Sequence, residues 1–101
     1  MNKNDRLNCR TKDYMASFGC ILKDMICGMC EADMDDSISG NFIRQMIPLA
    51  QGGIMMAKAA MCYCICDELK PILESIISGQ EKAIAEMKCV AECLNCKCMC
   101  M

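Results

Sequence analysis

Apolar positions along this chain recur at steps of three and four, the repeat of a helix that turns one side toward a core. The chain is organised around residues 38–66, where Phe42, Ile43, Met46, Ile47, Ala50, Ile54, Ala57, Ala60, Met61 and Cys64 fall on one side. Pro48 lies inside this stretch. It frees the carbonyl four residues back and predicts a kink. Gly52 and Gly53 follow, each a poorer helix former than alanine by about 1 kcal/mol, and suit a place where another backbone or a ligand comes close. A first helix is predicted over 5–32 from Leu7, Tyr14, Phe18, Ile21, Leu22, Met25 and Met29. A third is predicted over 67–95, with a stripe running from Leu69 through Ile72, Leu73, Ile76, Ile77, Gln80, Ala83, Ile84, Met87 and Ala91 to Leu94. Lys70 precedes a proline and is biased away from helix, so this helix could start only at Pro71. The acidic run Asp33, Asp35, Asp36 reads as a solvated turn, with Ser37 or Ser39 capping the next helix. The whole is one all-α domain over 1–101, three helices in up-down-up order, with residues 96–101 as a Cys/Met tail.

A second stripe runs opposite the first, and it is made of cysteine. Cys9, Cys20, Cys27 and Cys30 fall away from the apolar side of the first helix. Cys62 and Cys66 do so at the end of the second, while Cys64 points inward, as easily packing as ligand. Cys89, Cys93, Cys96 and Cys100 do so on the third. A three-helix monomer buries the apolar stripes and leaves much of the thiol stripes uncovered. A homo-oligomer, most simply a twofold dimer, would complete a larger bundle.

The stretch MIPLAQGGIMMAKAAM, followed by DELKPILESIISGQEKAIAEM, resembles the domain-of-unknown-function 305 (DUF305) family over residues 38–95. Met46, Ile47, Pro48, Met56, Ala57, Gln80, Ile84 and Met87 fall on the family's motif, whereas Leu49 and Ala50 stand where it carries a pair of histidines. The resemblance implies a ferritin-like helical fold. Because the family's better understood members are copper-binding proteins rich in Met and His, it also brings Met46, Met56 and Met87 into the candidate ligand set.

Composition sharpens the chemistry. The chain has 12 Cys, 12 Met and no His, and a net charge of −2 from 11 Lys/Arg and 13 Asp/Glu. With neither a basic patch nor more than two Phe and two Tyr, a nucleic-acid partner is not expected. The first residues lack the apolar core of a signal peptide, and every apolar run is broken by charge. A cytoplasmic protein without a membrane partner is the expectation. In a reducing compartment, clustered thiols point to metal rather than to a disulfide scaffold.

On a helix, residues three or four apart have Cβ atoms roughly 5–6 Å apart, so their thiolates can share one small cation. Cys27/Cys30, Cys62/Cys66, Cys89/Cys93, Cys93/Cys96 and Cys96/Cys100 all have this spacing. The candidate ligands are therefore Cys20, Cys27, Cys30, Cys62, Cys66, Cys89, Cys93, Cys96 and Cys100, beside the three methionines. Thiolate and thioether are soft donors, which select Cu(I) first. Zinc or cadmium comes second, and an iron–sulfur cluster a distant third. Histidine for general-base work, a phosphate loop and a nucleophile elbow are all absent, so no enzyme is expected. Cu(I) storage, buffering or detoxification is the leading reading. A disulfide-crosslinked structural protein of the spore-coat kind and a non-selective thiol buffer for zinc or cadmium are its rivals.

Overall fold

The structure, a computed structural model, describes residues 9–96, with side chains as far as Leu94. It is all-α, as expected: α1 spans Thr11–Glu31, α2 Ile38–Ala60 and α3 Leu69–Cys96. α1 and α2 run antiparallel. Met25 meets Gly52 and Gly28 meets Pro48, while the Tyr63 hydroxyl reaches back to the carbonyl of Asp13 at the far end. α3 folds back along α2, and α1 and α3 pack on α2 rather than on each other. The central helix is thus the one around which the sequence pattern is organised.

The turn before α2 is built by its own polar groups. The Ser37 hydroxyl accepts from the Gly40 amide at 2.9 Å, a helix N-cap. Arg44 donates to the Asp33 carbonyl at 2.6 Å and pairs with Asp35 at 2.9 Å. Asn41 exchanges hydrogen bonds with the Asp35 backbone. The acidic run is a turn closed by one arginine and one asparagine.

The helix bounds differ from the periodicity in three places. α1 begins at Thr11, so Cys9 lies outside it; residues 5–8 of the expected helix lie outside the described residues. α2 stops at Ala60 instead of running to Cys66. Residues 61–66 read Met-Cys-Tyr-Cys-Ile-Cys, and their exposure alternates, with Cys62, Cys64 and Cys66 all exposed and the residues between half-buried. That is a period of two, at odds with a helix. α3 begins at Leu69, two residues ahead of Pro71. The missing N–H of Pro71 falls within the first turn, where it has no helical acceptor. The amides of Leu69 and Lys70 are satisfied by the carbonyls of Cys66 and Asp67 at 3.1 and 3.2 Å.

The core is thin. Ile43, Ala50 and Ala57 of α2 and Leu73 and Ile84 of α3 are its buried apolar side chains, and α1 buries none. The radius of gyration is 17.2 Å, against about 13 Å for a compact domain of this length. Among the described residues, no helix is long and apolar enough to cross a membrane.

Two neighbouring glycines offer a test of the α1–α2 contact. A Cβ on Gly52 would overlap the Met25 side chain and stand 2.9 Å from its Cβ, whereas one on Gly53 meets nothing within 4 Å. Gly53→Ala should therefore stabilise by about 1 kcal/mol through helix propensity. Gly52→Ala must push α1 away, at about 1–3 kcal/mol of overpacking. Urea midpoints should move in opposite directions; a shared upward shift would mean that the helices do not approach at Gly52.

Candidate functional site

The thiols lie on three separate elements. Cys20, Cys27 and Cys30 are exposed on α1. Stepped at about 100° per residue, Cys30 sits opposite both Met25 and Gly28, the residues that touch α2, while Cys20 and Cys27 sit opposite Met25 and to the side of Gly28. Cys89 is exposed and Cys93 half-buried on α3, on the side away from buried Leu73 and Ile84. Cys96 is the last residue of that helix, and Cys100 lies outside the described residues. So Cys27/Cys30 and Cys89/Cys93 stand on helices at the spacing that lets two thiolates face one ion.

Cys62 and Cys66 do not form such a pair, because α2 ends before them. The Cys62 thiol lies 3.6 Å from the carbonyl of Lys58, within its own turn. Met46 and Met56 on α2 and Met87 on α3 are all half-buried. Among the described residues, no three cysteine, aspartate or glutamate side chains gather into a group that could hold a metal. Within one chain the candidate ligands therefore come as helical pairs.

Ala50, the second of the two positions where the resemblance puts histidine, is 3% exposed and part of the core. An imidazole there would displace the α2 packing.

What the spacing missed is a bond. Cys9 and Cys64 form a disulfide, with Cα atoms 4.8 Å apart and 55 residues between them in sequence. Cys64, placed by periodicity on the apolar side of a helix, is in fact exposed on the connector after it. Two further contacts hold the same junction. The Tyr63 hydroxyl donates to the Asp13 carbonyl at 3.3 Å, and the Tyr63 ring meets Tyr14 edge-on at 5.5 Å. A cleft of about 200 Å³ opens beside them, lined by Cys9, Arg10, Tyr14, Tyr63, Cys64 and Leu69 among others. The alternation Cys-Tyr-Cys-Ile-Cys was the available signal that this segment leaves the helix.

A sequence profile described as a domain of unknown function (DUF305) matches residues 20–91. The match takes in α1 from Cys20, all of α2 and most of α3. No curated protein and no solved structure matches.

Proposed function

The chain belongs to the DUF305 family, and on that premise we propose that it stores or buffers Cu(I) in thiolate sites borne on its helices. The observation that carries the reading is the pairing of Cys27 with Cys30 and Cys89 with Cys93 on the outward sides of α1 and α3. Each pair presents two soft donors at a separation that one small ion bridges. Zinc takes thiolates too, and is the second candidate. A reducing compartment keeps outward thiols in the form that binds metal. No reaction is assigned to the chain.

Since the described residues of one chain gather pairs only, sites with more than two thiolates draw on a second copy. The uncovered apolar surface fits the same assembly: Ile38 is 87% and Phe42 58% exposed. We expect light scattering under reducing conditions to give twice the chain mass. A monomer, unchanged by added Cu(I), would argue against the dimer.

Elemental analysis of protein purified without oxygen tests the reading itself. Several copper ions per chain are expected, with zinc in the minority. Metal-free protein, or zinc in excess, would overturn it. The Cys9–Cys64 bond favours one alternative, a structural protein whose thiols join copies covalently. That alternative calls for a ladder of multimers on non-reducing electrophoresis that collapses on reduction. The storage reading calls for single chains in both lanes.

A further inference from the structure

α1 meets α2 at Pro48 and Gly52, through Gly28 and Met25. The buried stripe Ile43, Ala50 and Ala57 steps to the opposite side of α2 and so faces α3. The three helices therefore lie side by side in one layer, α2 in the middle and antiparallel to both neighbours. Stepped at about 100° per residue from these contact directions, each helix turns an apolar strip to the same side of the layer. Met15, Leu22 and Ile26 form it on α1, Ile38, Phe42 and Leu49 on α2, and Ile72, Ile76 and Val90 on α3. Among the described residues, seven of the nine exposed large apolar side chains lie on this face; Met34 is in the turn before α2, and Met55 points off it. Asp24, Glu31, Gln51, Lys58, Glu74 and Glu81, all exposed, occupy the opposite side.

We propose that this face seats a second copy of the chain, two three-helix layers closing on each other as a six-helix sandwich. The proposal names the contact of the twofold dimer expected above, and it does not rest on the soft-metal reading. Seven side chains between 40% and 87% exposed bare apolar surface on the order of several hundred Å², matching the roughly 300–600 Å² of the largest patch on a typical monomer. With the half-buried residues between them, the face reaches the scale of the about 800 Å² per partner that a stable interface covers. No charged side chain of the described helices steps within about 40° of the centre of any strip. A twofold axis therefore lays apolar surface on apolar surface and buries no charge.

A membrane surface suits the face less well. Helices that lie in a lipid interface carry Lys and Arg beside the apolar side, whereas the charge nearest to a strip here is that of Glu86, and the chain's net charge is −2. The thiols stand clear of the contact. Cys20, Cys27 and Cys30 on α1 and Cys89 and Cys93 on α3 step off the strips by about 70° or more, toward the edges of the layer. Assembly through this face thus needs neither a metal ion nor a disulfide between copies, and it leaves the helical thiol pairs open. Burial of the face also adds the apolar contact that a layer with a thin core lacks.

The test is sedimentation of the full chain under reducing conditions with a metal chelator present, so that its outcome is separate from copper binding. The parent should be a dimer. Phe42→Glu/Ile72→Glu, at positions 58% and 54% exposed in the single chain, should keep its far-UV helicity and raise the dimer's Kd more than about 100-fold, since closure would bury unpaired carboxylates. Met55→Glu, at a position 56% exposed but off the face, should dimerise like the parent. The parent supplies a second readout that needs no variant. Met15 and Met55 are each 56% exposed in the single chain, so oxidative footprinting should modify Met15 several-fold more slowly than Met55, and dilution should remove the difference. A dimer undisturbed by the double glutamate variant, or equal rates at the two methionines, would overturn the face as the contact. So would a parent that is monomeric at every concentration, and if that monomer binds vesicles of neutral lipid, the face belongs to a membrane instead.

Discussion

Copper bound by the reduced chain should fall by about a third when Cys89, Cys93, Cys96 and Cys100 are changed to serine. These are four of the 12 cysteines, and serine replaces a soft donor by a hard one that Cu(I) disfavours. Cys89 and Cys93 stand on the outward side of α3, away from Leu73 and Ile84. The substitution should therefore leave far-UV helicity nearly constant. Changing Met99 and Met101 alone should cost much less, thioethers being the weaker donors in this scheme. Copper per chain after gel filtration reads both. An undiminished four-serine variant would make the α3 thiols packing or crosslinking groups.

The second large effect concerns stability. Cys9 and Cys64 are 55 residues apart in sequence, and closing a loop of that length restricts the unfolded chain by about 4 kcal/mol. For a domain of this size, losing that much lowers the melting temperature on the order of 15–30 °C. The effect is large here because, among the described residues, the core is five buried apolar side chains, none of them on α1. Cys9→Ser/Cys64→Ser and reduction of the parent should shift melting alike. Cu(I) added to the reduced parent should restore part of the loss, as any ligand of the folded state does. A double-serine chain that melts within a few degrees of the oxidised parent would show that the bond constrains nothing.

The helices were legible because their apolar repeats are long: the stripe from Leu69 to Leu94 and the one from Phe42 to Ala60 each outlast any turn signal inside them. Gly52 was legible as a place of close approach, and Met25 is what approaches, whereas Gly53, read the same way, has nothing within 4 Å of where a Cβ would stand. The end of α2 was not, since Met61 and Cys64 extend the three–four rhythm by coincidence while Cys-Tyr-Cys-Ile-Cys follows a period of two. Six residues satisfy both patterns, and the contacts of Tyr63 with α1 decide between them. The Cys9–Cys64 pairing was illegible for a plainer reason. Spacing along one helix says nothing about sulfurs 55 residues apart, and with 12 cysteines the possible partners are too many to choose among. The outward thiol pairs on α1 and α3 followed from periodicity alone, whereas the way α1 and α3 avoid each other depends on packing that no single helix encodes.

Titration of the fully reduced chain with Cu(I) against a competing chelator tests the central claim most directly. Two to three thiolates per ion, over 12 cysteines, predict about four to six ions per chain held against the chelator. A chain that yields all its Cu(I) to the chelator would contradict the account.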